Sequence, residues 1–138
     1  MLVFLVRHAH AEKGEPDDLR PLSDRGREEA RAVAVQLAGH DTPPTLVVTS
    51  PLLRARQTAE PIAAASSAEL RVDDRLAPGL TPEGLLAALD EGEGPVAVVG
   101  HQPDFSEIAF ALTGSDPGFP TGGVAEIAVD DGSARTSA

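Results

Sequence analysis

Cysteine is absent from the 138 residues. That excludes disulfide staples, thiolate nucleophiles and cysteine-ligated zinc. It leaves the compartment open, since a cytosolic protein has no need of the residue. Long apolar runs are absent as well. No stretch approaches the ~20 apolar residues of a membrane span. The short apolar run at residues 2–6 has no basic segment before it and falls short of a signal-peptide core. A soluble, cytoplasmic protein is the expectation.

Basic charge is scarce: 11 Lys and Arg stand against 22 Asp and Glu, for a formal net charge of −11. Such a surface repels nucleic acid and anionic membranes, so neither is expected as a partner. It repels small phosphorylated molecules at long range too, so any site for one has to be a local basic pocket in an acidic shell. There is no internal repeat and no low-complexity linker. The length fits one domain but not an eight-fold β/α barrel, which needs roughly 200 residues or more.

What is there reads as an ordinary globular chain, 41% hydrophobic and 24% charged. Residues 2–6 (Leu-Val-Phe-Leu-Val) form a continuous apolar strand. Residues 11–22 are a polar loop with Gly14, Pro16 and Pro21. Ser23 then caps a helix whose apolar face is Ala30, Val33, Ala34, Leu37 and Ala38, ended by Gly39. Residues 45–49 are a second buried strand. Ser50-Pro51 reads as a cap followed by proline at the first helical position, with a helix to about Ala64. A short strand is expected at 69–73, a helix from Thr81-Pro82, a third buried strand at 95–99, a helix from about Pro103 to Gly114, and a last strand at 124–129. Strands that are apolar throughout, alternating with helices, imply a mainly parallel sheet covered on both faces: an α/β three-layer sandwich. Residues 1–130 read as the domain and residues 131–138 as a flexible tail.

In such sheets ligands sit beyond the carboxyl ends of the strands. The first strand ends in Arg7-His8. The second ends in Thr49-Ser50 and opens a helix carrying Arg54. The third ends in Gly100-His101. Scattered surface residues have no reason to fall at three carboxyl ends. Two guanidiniums that fork onto phosphate oxygens, with an imidazole able to attack phosphorus, make a plausible phosphoryl-transfer set.

Four blocks then carry a family resemblance. They are Leu5-Val6-Arg7-His8-Ala9, the stretch 18–26 (Asp-Leu-Arg-Pro-Leu-Ser-Asp-Arg-Gly), the stretch 50–59 (Ser-Pro-Leu-Leu-Arg-Ala-Arg-Gln-Thr-Ala), and Val98-Val99-Gly100-His101-Gln102-Pro103. In this order they resemble the histidine phosphatase, or phosphoglycerate mutase-like, superfamily, and more closely its small SixA-type phosphohistidine phosphatases. Phe119-Pro120-Thr121-Gly122-Gly123-Val124 is similar to the ending of the small members. The resemblance implies a phosphoglycerate mutase-like fold and a phosphatase that works through a covalent phosphohistidine, without metal or other cofactor. His8 would be the nucleophile. Arg7, Arg54 and His101 would hold the phosphoryl group, with Arg20 near the pocket mouth.

His8 has to be neutral at its attacking nitrogen while the other nitrogen donates to a backbone carbonyl; which nitrogen attacks is not readable from sequence. Ser50 reads as a helix cap, Arg56 as a solvated neighbour of Arg54, and His40 as a surface residue at a helix end. His8-Ala9-His10 also resembles the His-x-His of metal-dependent hydrolases, but that motif belongs to a barrel this chain is too short to build. Many relatives protonate the leaving group with a carboxylic acid. The nearest candidates are Asp74, Glu83 and Asp104, and the last two have capping explanations.

Without a strong acid, cleavage of P–N bonds is favoured over alkyl P–O bonds, because an imidazole leaving group can already carry a proton near neutrality. The short segments between motifs suit a phosphorylated protein, or a small phosphorylated molecule, reaching an open site. A small-molecule phosphomonoesterase or mutase of the same superfamily, and a non-catalytic phosphate-binding module, are the competing readings. The oligomeric state is left open, with a monomer compatible.

Overall fold

The computed structural model of the chain describes residues 1–89, 94–130 and 133–136. Its elements are β1 (Leu2–Arg7), α1 (Asp24–Ala38), β2 (Leu46–Thr49), α2 (Leu53–Ser66), β3 (Glu69–Val72), α3 (Pro82–Leu89), β4 (Val96–Gly100), α4 (Asp104–Thr113), β5 (Val124–Asp130) and β6 (Ser133–Thr136), with one-turn 3-10 segments at Asp17–Leu19 and Asp74–Leu76. One sheet runs β3-β2-β4-β1-β5-β6. The β3–β2, β2–β4 and β4–β1 pairs are parallel, and β5 and β6 close the other edge antiparallel.

The apolar strand runs have a direct cause in this layering. Along β1, Val3 and Leu5 face the layer of α3 and α4, where they meet Leu85, Leu89, Phe105 and Ile108. Phe4 and Val6 face the layer of α1 and α2, where they meet Val33, Leu37, Ala59 and Ile62. A strand covered on both faces has no polar side to present, so the alternation that marks a half-exposed strand disappears.

Local signals explain the helix ends. Ser23 Oγ accepts from the Gly26 amide at 3.0 Å and starts α1, and Gly39 closes it. Thr81 Oγ1 accepts from Gly84 at 3.0 Å before Pro82 opens α3. At α2 the structure departs from expectation. The helix begins at Leu53, preceded by Leu52 with no side-chain cap, and Ser50 is drawn elsewhere.

Residues 133–136, expected as part of a flexible tail, form β6 and pair with Ile127 through Asp130 of β5. β5 otherwise offers a row of unpaired N–H and C=O groups on its outer edge, which the returning chain satisfies. Positions 131, 132, 137 and 138 of that expected tail lie outside the described residues. No described helix is long and apolar enough to cross a membrane.

Register sets the level of the site. Arg7 pairs with Gly100 and Thr49 with Val99. The ladders run one residue further: the His8 amide donates to Gly100 O and the Ser50 amide to Val99 O, at 2.9 and 3.0 Å. The carboxyl ends of β1, β4 and β2 are therefore flush. Gly100 is required there, because a Cβ on it would lie 2.7 Å from Phe105 Cζ.

Phe105 is fully buried beneath this rim. Truncating it (Phe105→Ala) should cost about 3–5 kcal/mol, read as a lower urea midpoint at unchanged slope. A loss under about 1 kcal/mol would mean that this wall carries little of the core.

Candidate active site

The rim of the sheet brings the sequence-nominated residues together. His8 follows β1 directly. Its Nδ1 lies 2.7 Å from Ala9 O, and since a carbonyl only accepts, Nδ1 carries the proton. The unprotonated nitrogen of His8 is therefore Nε2. The Ala9 amide donates to Thr58 Oγ1 at 3.0 Å, and Thr58 in turn donates to Arg54 O at 2.8 Å. Arg54 and Thr58 are four residues apart on one buried face of α2, so a single helix turn holds both the peptide that follows His8 and a guanidinium.

The His101 ring lies 5.2 Å from that of His8, centre to centre. Its Nε2 shares a 2.7 Å hydrogen bond with Ser50 Oγ, which also accepts from the Leu52 amide at 3.2 Å. Ser50, expected as the cap of α2, instead fixes the second imidazole; it is wholly buried.

Arg7 is clamped by residues 119–123. Its amide donates to Gly123 O at 2.9 Å, Nη1 donates to Phe119 O at 2.8 Å, and Gly122 donates back to Arg7 O at 3.1 Å. Gly122 takes φ +70°, which lets the loop turn tightly around the arginine. The Nε–H of Arg7 is buried with no acceptor among the described residues.

Arg54 points inward, 7% exposed. Its Nη1 donates to Asp17 O at 2.8 Å and its Nη2 to Asp17 Oδ2 at 3.2 Å. The other oxygen of the same carboxylate accepts from Arg20 Nη1 at 3.0 Å, while Arg20 Nε donates to Glu12 O at 2.7 Å. Asp17 thus ties the 11–22 loop to both arginines. The Arg20 bond and the neighbouring Arg54 charge hold its carboxyl below the usual carboxylate range.

The opening is a cleft of about 500 Å³ lined by Arg7, His8, His10, Glu12, Lys13, Arg20 and Thr121, among others. It is the local basic pocket that an acidic chain needs. Glu29 of α1 supports its rim. One oxygen accepts from the His10 amide at 2.8 Å, the other from Thr121 Oγ1 at 3.0 Å and from Arg25 at 3.2 Å. α1 approaches so closely that a Cβ on Gly26 would collide with the His10 carbonyl.

None of the three carboxylic-acid candidates lines this cleft. Asp104 is spent on the Gly79 and Leu80 amides, at 2.8 and 3.3 Å, pinning the 75–82 stretch to α4. Asp74 and Glu83 are exposed. Arg56, read as solvated, is half-buried, and its Nε has no partner among the described residues. His40 bonds Glu126 at 2.8 Å and meets the Phe4 ring edge-on. Among the described residues no three His, Asp or Glu side chains gather as a metal-ligand set. The parts that Asp17, Thr58, Ser50 and Glu29 play at the site escaped the sequence reading. Only the Arg54–Thr58 spacing left a local trace.

Burial pushes the His8 imidazole down to about 4, aided by the charges of Arg54, Arg7 and Arg20 and opposed by its bond to Ala9. His101 falls to about 3, again chiefly by burial, with His8 and Arg54 adding to it and Asp17 opposing. Both rings are neutral in the free protein at neutral pH. Both are also harder to protonate folded than unfolded. Between 6.5 and about 4 the unfolded chain therefore binds more protons, and stability falls as pH drops through that window. The lowered Asp17 and Asp73 act only below the ordinary carboxylate range. Urea midpoints should decline from pH 7 to pH 4.5, and His8→Gln should flatten the decline. An equal decline in that variant would place its cause elsewhere.

The family model for the histidine phosphatase superfamily (branch 1) matches residues 3–78. The chain is 32% identical to the phosphohistidine phosphatase SixA of Escherichia coli, over 95% of this chain and 87% of that protein. It is 36% identical to an uncharacterized protein of Picosynechococcus, over 100% of this chain and 90% of the other. The solved structure of the protein histidine phosphatase SixA complexed with tungstate superposes with a TM-score of 0.87 and 29% identity, covering 99% of this chain and 94% of that one. Motif order, sheet topology and these likenesses agree: the chain belongs to the histidine phosphatase superfamily, and it is a phosphatase.

Proposed function

We propose that the protein removes phosphoryl groups from phosphohistidine, or a similar phosphoramidate, on a protein. The observation that carries the reading is the fixed tautomer of His8. With Nδ1–H held by Ala9 O, the Nε2 lone pair is left for phosphorus. In the first step the His8 Nε2–P bond forms and the bond from phosphorus to the leaving nitrogen breaks, that nitrogen taking a proton. In the second, water attacks phosphorus, the His8–P bond breaks, and inorganic phosphate departs.

The transferred group spreads charge over three oxygens, so placement and positive charge do most of the work. Arg7 supplies a buried N–H with no acceptor among the described residues, and Arg54, held by Asp17, also bears its charge on His8. His101, neutral when the site is empty, gains a reason to hold a proton once a phosphoryl dianion lies next to it.

Phosphohistidine is favoured over an alkyl phosphate on two grounds. Asp74, Glu83 and Asp104 lie outside the cleft, leaving Glu12 as the carboxylic acid that lines it, and an imidazole leaving group needs less help from any proton donor than an alkoxide. The rim is made of exposed residues of the 11–22 loop, which leaves the phosphoryl site accessible to a side chain on another protein. The names of the Escherichia coli relative and of the tungstate complex support the same substrate class.

A phosphohistidine peptide should turn over faster than a sugar phosphate, and quenched enzyme should carry an acid-labile, base-stable phosphoryl group. His8→Ala should lose turnover by several orders of magnitude while still binding phosphate. Preference for the sugar phosphate would overturn the substrate assignment; an unimpaired His8→Ala would overturn the mechanism.

A further inference from the structure

His10 is the feature of the sequence that the phosphatase reading leaves unused. His10 lines the same cleft as His8. Its Nδ1 lies 2.6 Å from Ser23 Oγ. Ser23 Oγ already donates its one proton to His10 O, at 3.2 Å, and accepts from the Gly26 amide, at 3.0 Å. The proton between the ring and the hydroxyl therefore belongs to Nδ1. That leaves Nε2 of His10 as the ring's exchangeable position, with no partner among the described residues.

The backbone is held equally firmly. The His10 amide donates to Glu29 Oε1 at 2.8 Å, and the His10 carbonyl accepts from the Ser23 amide at 3.0 Å. The ring is thus oriented from one side only, as a proton-transferring imidazole has to be. Glu12 lines the same cleft and is the rival acid that the test has to separate from His10, while the other acids and His101 are placed differently. Asp104 is bound to backbone amides, Asp74 and Glu83 are outside the cleft, His101 is bonded to Ser50, and Asp17 is bridged between two arginines.

We propose that His10 is a catalytic residue of this phosphatase, transferring the proton between leaving group and water through Nε2. The proposal rests on the reading of His8 as nucleophile. His10 enters the step as the imidazolium, with a proton on each nitrogen; when His8 Nε2 bonds to phosphorus and the bond to the leaving atom breaks, that atom takes the Nε2 proton and the ring is left neutral with Nδ1–H toward Ser23. When water then attacks the phosphohistidine and the His8–P bond breaks, the proton of that water returns to His10 Nε2. The cycle closes with no other acid or base, and Ser23 keeps the Nδ1 proton out of it.

The test reads leaving-group dependence. For wild type, His10→Gln, His10→Ala and Glu12→Gln, kcat/KM is measured on p-nitrophenyl phosphate, whose leaving group needs no proton, and on phenyl phosphate, whose leaving group does. With His10 as donor, both His10 variants lose about 10²-fold on phenyl phosphate and much less on the nitrophenyl ester. Glu12→Gln keeps the wild-type ratio. The ratio of the two rates is indifferent to the fraction of variant folded, so damage to the Ser23 contact alone cannot imitate the result. Parallel losses on both esters, no loss on either, or a selective loss in Glu12→Gln instead would overturn the assignment. Turnover abolished by His8→Ala establishes the underlying reading separately; with no His8-dependent turnover at all, both fall.

Discussion

The bond from the His8 amide to the Gly100 carbonyl continues a parallel ladder one residue past the end of two strands. Everything at the site depends on that extension. It sets the two imidazoles 5.2 Å apart and level with Ser50, which is held by the corresponding bond to Val99. Three flush strand ends give a floor made of backbone, and only then do side chains decide the chemistry. A slip of one residue in β4 would turn His101 away from His8 and exchange the two core layers.

The electrostatics follow from the same burial. The chain is strongly acidic, yet the charges of Arg7, Arg20 and Arg54 all bear on His8 where the sheet ends. Arginine remains charged when half-buried, and the structure provides for it with carbonyls from Phe119, Asp17 and Glu12 and with one shared carboxylate. Histidine does not remain charged, and burial keeps both rings neutral at neutral pH. A neutral imidazole facing fixed cations suits the phosphoryl transfer proposed for it.

Much of this was legible in the chain. Runs such as Val96 to Val99 can only be strands covered twice. Ser23, Gly39 and Thr81-Pro82 punctuate helices by chemistry confined to a few residues, and Arg7, His8, Arg54 and His101 fall where strands end. What was not legible depends on partners far away in sequence. Ser50 looked like a cap because its neighbour is proline, but it is bonded to an imidazole 51 residues on. Asp17 meets Arg54 across 37 residues and Thr121 meets Glu29 across 92, with no periodicity to announce either. β6 has too few apolar residues to read as a strand; an open edge recruits it. Asp104 begins a helix, as its sequence suggests, but its carboxylate serves a loop 25 residues away.

The close approach of Gly100 to Phe105 has an evolutionary consequence. The residue preceding the second imidazole and the ring beneath it share one wall, so neither position can drift independently. A larger residue at 100 becomes tolerable only after a smaller one has appeared at 105, and that first change weakens the core before any gain at the pocket. Lineages descended from this chain are thus expected to vary their specificity at exposed positions of the 11–22 rim that hold neither arginine, and to leave the floor and Asp17 as they are.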